Sequence, residues 1–330
     1  MKRYVFCAAA LVLAAGAVAG CGSSGNSSGS GGGSTGGGQK KITLIQGVAN
    51  EPFYISMYCG AKQEAAAEGV QLEVTAPQKW DTAMQTSVVT AVTAKKPNAV
   101  LIAPVDKEAM RAPVKGLADA GSKVIFVDTE LSDTSLGLSR ISSDNKLGGQ
   151  LGAKALAKQI SDAGKVLVLS PKKGIATTDD RVQGFTAEIT ANHPKIKVVS
   201  VQYPGDDAAA AQSVVTATLA ANPDLAGIFA ANLVTGQGAA AAVKAGNKTG
   251  AVKLVEFDAS QTQVDALRGG QVQALISQEP LDIGRQGIQQ AVAALTGKTV
   301  QASIKTQLLE VNKQNVDDPA VAKYLYKSTC

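Results

Sequence analysis

The feature that most constrains the fold is a pattern that occurs twice along the chain. From Lys41 onward, short apolar runs rich in Val and Ile alternate with segments of helical length. The pentapeptide SVVTA occurs at 87–91 and again at 213–217, an offset of 126 residues. Each copy continues in the same order, through a proline, an apolar strand, a helix and a second strand that ends in aspartate, at Asp128 or Asp258. Such strands are typical of parallel sheets covered on both faces, so the sequence predicts an α/β fold of two similar lobes.

The ends of the predicted strands supply the candidate binding residues. In open parallel sheets, ligands bind beyond the carboxyl ends of the strands. Two facing lobes would therefore present two sets of strand-end loops to one cleft. The first lobe offers residues 50–54, 103–106 and Asp128, and the second offers residues 170–181, Asn232 and Asp258.

The first 39 residues predict export from the cytoplasm. Residues 1–20 have the form of a signal peptide, because a basic start is followed by an uncharged run of apolar or small side chains. That run is shorter than a membrane span requires. It ends at Cys21, as in a bacterial lipobox, whose cysteine becomes the lipidated N-terminus; the alternative is an ordinary signal peptide followed by an incidental cysteine.

Residues 21–39 form the expected tether. Only Gly, Ser, Asn and Thr occur in the seventeen residues after Cys21, and such chains behave as flexible coils. We therefore expect a lipid-anchored protein on the outer face of the cytoplasmic membrane, in the cell envelope or periplasm.

Charge and residue counts exclude several functions. Without Lys2 and Arg3 the chain has 30 basic and 27 acidic residues, and the basic ones are dispersed, so we expect no nucleic-acid partner. The single histidine, His193, argues against a Ser-His-Asp triad and a multi-histidine metal site. We expect no cofactor and no metal.

Two cysteines remain after Cys7 is removed with the signal and Cys21 is lipidated. Cys59 and Cys330 are an even pair in an oxidising compartment, which predicts a disulfide that joins the C-terminal tail to the first helix. The alternative is a buried free thiol at Cys59 and a frayed terminal cysteine.

Local patterns from about residue 41 to about residue 309 resemble the ribose-type solute-binding proteins of bacterial ABC importers. In chain order they are NEPFY at 50–54, IAPVD at 102–106, VIFVD at 124–128, DDRVQGF at 179–185, and FAAN at 229–232 followed by EFD at 256–258 and ISQEP at 276–280. The resemblance implies the type I periplasmic-binding-protein fold, in which two Rossmann-like lobes with parallel sheets are joined by three hinge crossings.

This resemblance also implies the lobe boundaries. Residues 40–143 plus about 279–309 would form the N-terminal lobe, residues 144–278 the C-terminal lobe, and residues 310–330 a tail. The segment SSDNKLGG at 142–149 resembles the first crossing, and the segment 278–280 resembles a later one.

The implied function is binding of a sugar and its delivery to an ABC permease, by a protein expected to be monomeric. The ligand contacts implied by the resemblance are Glu51, Phe53, Asp128, Arg181, Asn232, Asp258 and Gln278. Carboxylates accept hydroxyl protons, Arg donates, amides do both, and aromatic rings pack on sugar C–H faces. We expect Tyr54, but not Phe53, to belong to the core.

Departures from the family pattern bear on the ligand. Glu51 stands where the family often has an amide, Thr129 where a second arginine often sits, and Asp207 about where the second lobe often offers an aromatic residue. Three expected pocket acids against one arginine disfavour a phosphorylated or carboxylated ligand. A neutral pentose, hexose or polyol is expected first, and an amine-bearing ligand remains an alternative.

Two other functions remain open from the sequence. The segment GQGAAA at 236–241, with Asp258 downstream, mimics a dinucleotide-binding fingerprint and would indicate a Rossmann-type NAD-dependent enzyme. A ligand-sensing partner of a membrane receptor would use the same pocket as a transport protein. We expect a binding protein and not an enzyme.

Overall fold

Residues 39–330 are described by a computed structural model. The predicted signal peptide and the lipidation site Cys21 lie outside the described residues. Within residues 39–330 the strands are β1 (Lys41–Ile45), β2 (Gln71–Thr75), β3 (Ala99–Ile102), β4 (Lys123–Val127), β5 (Ser139–Ser143), β6 (Gly164–Leu169), β7 (Ile196–Gln202), β8 (Leu225–Ala230), β9 (Lys253–Phe257), β10 (Ala274–Gln278), β11 (Ser303–Thr306) and β12 (Leu308–Val311). The α-helices are α1 (Pro52–Ala67), α2 (Thr82–Lys95), α3 (Arg111–Asp119), α4 (Asn145–Gln159), α5 (Ala176–Asn192), α6 (Ala208–Ala221), α7 (Leu233–Ala245), α8 (Gln261–Gly269) and α9 (Pro280–Leu295).

The strands form two six-stranded sheets, one in each lobe. The first sheet has the order β11-β5-β4-β3-β1-β2, and all its strand pairs are parallel. The second sheet has the order β12-β10-β9-β8-β6-β7, and only the pair of β10 and β12 is antiparallel. The predicted two-lobe α/β fold is confirmed.

Apolar side chains alternate between the two faces of each strand, so each sheet has a core on both of its faces. On β4, Ile125 and Val127 pack into the core that contains α1 and α9, whereas Val124 and Phe126 pack into the core that contains α2 and α3. Both faces of such a strand are buried, which explains its continuous apolar sequence. The second sheet has the same organisation, with α6, α7 and α8 on one face and α4 and α5 on the other.

Glycines allow two helix pairs to pack at backbone contact. A Cβ added to Gly284 on α9 would lie 1.9 Å from the Met57 carbonyl oxygen on α1. A Cβ added to Gly149 on α4 would lie 2.0 Å from the carbonyl oxygen of Arg181 on α5. The second contact fixes the distance of Arg181 from the first helix of its lobe.

The sequence repeat is also a structural repeat. Asp128 and Asp258 follow β4 and β9 with φ values of 65° and 79°, in the left-handed region that non-glycine residues seldom adopt. The Asp128 amide donates to the Ile141 carbonyl (2.8 Å) and the Asp258 amide to the Ile276 carbonyl (2.9 Å). The two strands thus end in the same kind of turn, and each turn places an aspartate at the sheet edge.

Three segments connect the sheets between β5 and α4, between β10 and α9, and between β11 and β12. The connection between β11 and β12 lies earlier in the chain than the expected end of the first lobe at about residue 309. Leu308 and Leu309, assigned from the sequence to the first lobe, lie on β12, which pairs with β10 in the second sheet. Glu310 and Val311, which the sequence assigned to the tail, complete this strand. Val311 is buried in the second-lobe core.

The C-terminal tail returns to the first helix. The sulfur atoms of Cys59, on α1, and Cys330 lie 2.01 Å apart, with a Cα–Cα distance of 5.4 Å. This is the geometry that the expected pairing requires. No helix within residues 39–330 combines the length and the apolar character needed to cross a bilayer.

Candidate functional site

A cavity lies between the carboxyl ends of the two sheets. All seven side chains that the sequence proposed as ligand contacts line it, from both lobes. Together with further residues they border about 430 Å³ of space, which is in part open to solvent. The additional lining residues are Tyr54, Trp80, Pro171, Ile175, Thr177, Thr178 and Asp206.

Asp128, which follows β4, is a first-lobe carboxylate of the cavity. Its Oδ2 atom accepts a hydrogen bond of 2.7 Å from the Tyr54 hydroxyl. Burial raises the pKa of Asp128 to about 6, although the Tyr54 hydrogen bond and the Arg181 charge oppose the shift. Burial, followed by the charge of Asp128, raises the pKa of Tyr54 well above its usual value, so Tyr54 stays a donor.

Asp258 is the corresponding carboxylate of the second lobe, and it is held from several sides. Its Oδ2 atom accepts from the Leu233 amide at the start of α7 (3.0 Å). Its Oδ1 atom accepts from Gln278 Nε2 (2.8 Å) and from the Tyr326 hydroxyl (2.9 Å). Gln278 is anchored in turn by Ser143 at the first crossing, whose hydroxyl donates to Gln278 Oε1 (3.0 Å).

Arg181 supplies a buried cation to the cavity. Arg181 is 3% exposed, and its guanidinium carbon lies 3.6 Å from the centroid of the Phe257 ring. Nε donates to Asn145 Oδ1 and Nη1 to the Ala231 carbonyl, both at 2.9 Å. Nη2 has no hydrogen-bond partner within residues 39–330 and is available to a ligand. Asn145, which the sequence analysis did not single out, fixes the plane of this group.

Glu51 precedes α1 without capping it, because its side chain accepts no hydrogen bond from the first turn. Burial raises the pKa of Glu51 well above its usual value, and the negative charges of Asp258, Asp206 and Asp128 raise it further. Glu51 therefore lies in a site where acids outnumber bases.

A second acid of the second lobe, Asp206, also lines the cavity, whereas Asp207, expected about where the family's second lobe often offers an aromatic residue, does not. Asp207 caps α6, where its Oδ1 atom accepts from the Ala210 amide at 2.9 Å. Asp206 lines the cavity and accepts from Asn232 Nδ2 (3.0 Å). The offset of 126 residues, applied to Trp80, gives position 206, so the repeat contained a signal for this residue.

Asp206 is exposed to solvent in the cavity lining, and its carboxylate is only partly desolvated by the protein around it. Burial raises its pKa, the hydrogen bond from Asn232 opposes this shift, and the charge of Asp258 adds to it. Asn232 itself caps α7, since its Oδ1 atom accepts from the amide and the hydroxyl of Thr235. It therefore orients Asp206 from a rigid helix end.

Aromatic rings form the first-lobe wall of the cavity. Phe53 is 4% exposed and packs edge-on against Tyr54, with ring centroids 5.2 Å apart. The expectation that Phe53 stays outside the core was wrong, because its ring is part of the first-lobe core as well as of the cavity lining. Trp80 is held by a hydrogen bond from its indole nitrogen to the Val105 carbonyl (2.9 Å).

The Thr178 hydroxyl is a further candidate that the sequence gave no means of selecting. Thr178 is buried in the first turn of α5 and lines the cavity. Within residues 39–330 its Oγ1 atom has no hydrogen-bond partner. Because a buried hydroxyl seldom remains unpaired, Thr178 is suited to bond a ligand oxygen.

The lobes also touch at residues outside the connecting segments. Lys107 Nζ lies 2.8 Å from Asp179 Oδ2, and the Lys107 amide donates to the Gly174 carbonyl at 2.9 Å. Both contacts join the loop after β3 to the segment that begins α5. The structure therefore has the lobes closed over the cavity.

The family model for the periplasmic binding protein domain matches residues 42–299. The ribose import binding protein of Escherichia coli strain K12 is 31% identical over 250 residues, 76% of this chain and 83% of that protein. The chain belongs to the periplasmic binding protein family. The ribose import binding protein of Bacillus subtilis strain 168 is another relative, 28% identical over 257 residues, 77% of this chain and 82% of that protein.

Solved structures of ABC transporter solute-binding proteins superpose on this chain. An ABC transporter solute-binding protein from Agrobacterium vitis, bound with α-D-tagatopyranose, is 42% identical, with a TM-score of 0.86 over 88% of this chain and 100% of that chain. Another from the same organism, with bound D-fucose, is 30% identical, with a TM-score of 0.81 over 87% and 100% of the two chains.

The glycines of the segment 236–241, which mimic a dinucleotide-binding fingerprint, have a packing role in this fold. A Cβ added to Gly238 would lie 2.4 Å from the Ala208 carbonyl oxygen on α6, and one added to Gly236 would lie 2.8 Å from the Glu256 carboxyl group. Both glycines therefore allow α7 to pack inside its lobe, and this accounts for the resemblance to a dinucleotide-binding fingerprint.

Proposed function

We propose that the protein binds one small neutral sugar or polyol between its lobes and delivers it to an ABC permease. The observation that carries the proposal is the convergence of hydrogen-bonding groups from both lobes on one cavity with an aromatic wall. Arg181 and Thr178 offer donors, and the carboxylates of Asp128 and Asp258 accept from hydroxyl groups. The names of curated relatives, which include ribose-, allose- and apiose-binding proteins, support the same ligand class.

The charge of the cavity narrows the ligand. Four carboxyl groups, those of Glu51, Asp128, Asp206 and Asp258, share the lining with one guanidinium group. A sugar phosphate or sugar acid would add negative charge to a partly desolvated acidic site, at a cost in binding free energy. Neutral polyhydroxylated ligands satisfy the same groups without that cost.

The geometry supports transport by lobe closure. A ligand that contacts both lobes binds the closed form more tightly than the open form and so favours closure. We propose that Cys21 carries the lipid and that residues 22–38 tether the domain to the outer face of the membrane, where confinement raises its concentration near the permease. The protein would bind its ligand without turnover.

The proposal is tested by thermal-shift screening, followed by calorimetry, with D-ribose, D-allose, D-tagatose, D-arabinose and D-fucose. A tightly bound sugar raises the melting temperature by mass action. We expect saturable binding of at least one sugar, and no comparable binding of D-ribose 5-phosphate. Binding of the phosphate in preference to all neutral sugars would contradict the proposed ligand class, and chemical conversion of the sugar would contradict the absence of turnover.

The anchor is tested separately in cells. Fractionation should recover the wild-type protein with membranes, and the Cys21→Ser variant should lose this association. Mass spectrometry of the wild-type protein should find a lipid on the peptide that begins at Cys21. Membrane association that survives the substitution would point to an uncleaved N-terminal segment instead.

A further inference from the structure

The end of the chain first completes the second lobe. After β12, Val316 and Val321 pack into the second-lobe core, and a 3₁₀ helix runs over Pro319–Tyr324. The Ser277 hydroxyl on β10 donates to the Tyr324 carbonyl (2.5 Å), and the Tyr326 amide donates to the Ala259 carbonyl (3.0 Å). The backbone as far as Tyr326 is thus held by the second lobe.

The last residues belong to the first lobe. The Lys327 amide donates to the hydroxyl of Ser56 on α1 (2.6 Å), and Cys330 is bonded to Cys59 on the same helix. The chain therefore passes between the lobes at Tyr326 and Lys327, in addition to the three connections described above. This passage is fixed at its far end by a covalent bond.

Tyr326 lies where this passage meets the cavity. The residue is 7% exposed, and its ring packs edge-on against Phe53, with centroids 5.7 Å apart. Its hydroxyl donates to Asp258 Oδ1 (2.9 Å) and accepts from the Gln278 amide (3.3 Å). Burial, followed by the charge of Asp258, raises the pKa of Tyr326 well above its usual value, so the hydroxyl remains a donor. One of the three groups that orient Asp258 is therefore brought by the tail.

We propose that residues 312–330 form a fourth inter-lobe connection and that Tyr326 is a positioning residue that sets ligand affinity and selectivity through Asp258. The inference rests on the proposed sugar-binding function. The disulfide keeps residues 327–330 on α1, and the Phe53 ring and the Asp258 carboxylate then hold Tyr326 between the lobes. Without the disulfide, residues 327–330 would lose their covalent attachment to α1.

The affinity test compares Tyr326→Phe with a matched control, Tyr324→Phe. The Tyr324 hydroxyl lies in the same tail but donates to Gln307 (2.9 Å), away from the cavity lining. The probe is whichever of D-ribose, D-allose, D-tagatose, D-arabinose and D-fucose the wild type binds most tightly. We expect at least a fivefold loss of affinity for Tyr326→Phe and less than a twofold change for the control.

A comparison of affinities for different ligands distinguishes a positioning role of Tyr326 from a general loss of structure in the variant. In the proposed complex Asp258 accepts hydrogen bonds from particular hydroxyl groups, so Tyr326→Phe should change the affinities for the probe sugar and its monodeoxy analogues unequally, by more than threefold between ligands. A purely structural defect would lower all of these affinities by one common factor. Either that result or an affinity within twofold of the wild type would overturn the role of Tyr326.

The connection itself is tested without a ligand. Small-angle scattering should give a larger radius of gyration for the ligand-free Cys59→Ser/Cys330→Ser double variant than for the wild type, because one tie between the lobes is lost. An unchanged radius would refute the fourth connection. If the wild type bound no sugar, the proposed function would fail, while this measurement would still decide whether the tail restrains the lobes.

Discussion

Replacement of Arg181 by alanine gives the most direct test of the candidate site. Nε and Nη1 bond to protein groups, and Nη2 is left for the ligand. A hydrogen bond to a charged group contributes about 1.5–3 kcal/mol net, so Arg181→Ala should weaken sugar binding by about 10- to 150-fold. The carboxyl groups of the cavity would also lose their only neighbouring guanidinium within the lining.

Arg181→Lys divides this effect into charge and geometry. Lysine keeps the positive charge but lacks the planar fork that bonds Asn145 and Ala231 and stacks on Phe257. Its affinity should therefore fall between those of the wild type and the alanine variant. Arg111→Ala is the control, because Arg111 is exposed on α3 and pairs with Asp133, away from the cavity lining; the affinity of this variant should equal that of the wild type.

The assay is fluorescence titration, checked by calorimetry. Trp80 is the one tryptophan of the sequence and lines the cavity, so its emission reports on ligand binding. Melting temperatures of the ligand-free variants show whether each protein is folded at the temperature of the titration. A change of less than threefold in the affinity of folded Arg181→Ala would refute the role assigned to this residue.

Three further predictions concern packing, pH and closure. Measured by urea unfolding, Gly284→Ala should lower the free energy of unfolding by about 1–3 kcal/mol, because the added Cβ would clash with the Met57 carbonyl. In the control Gly116→Ala the added Cβ has free space, so the free energy of unfolding should rise by ~0.5–1 kcal/mol. Burial raises the pKa of Glu256 from 4.5 to about 7, so the folded state favours the protonated carboxyl group. This contribution to the free energy of unfolding is fully present below pH 4.5 and is lost as the pH rises through 7. Between pH 5 and pH 8 the free energy of unfolding should therefore fall by up to ~3 kcal/mol more in the wild type, and in the exposed-site control Glu68→Gln, than in Glu256→Gln. An equal fall of the unfolding free energy in all three proteins would contradict this. In stopped-flow measurements, Lys107→Ala should release sugar several-fold faster, because the contact with Asp179 helps hold the lobes closed, and the exposed control Lys115→Ala should not.

The sequence by itself determined the repeated halves and the residues at their strand ends. Alternation of apolar strands and helices fixes the fold class because a parallel strand buried on both faces has to be apolar throughout. Asp128 and Asp258 could be located because each ends a strand, and strand ends of one parallel sheet share an edge. The strands β5 and β11 gave no such signal, since SRISS and SIKT are short and rich in polar residues.

Only the tertiary structure decided which groups meet. Asp206 and Asp207 are neighbours in a polar segment; the 126-residue offset pairs Asp206 with Trp80, but only the structure shows that Asp206 lines the cavity while Asp207 caps α6. Likewise, nothing local marks Tyr326, which is separated from Asp258 by 68 residues and reaches it because the tail is bonded to α1. Periodicity along a chain reports burial of nearby residues, whereas contacts between distant segments depend on how the lobes and the tail pack in space.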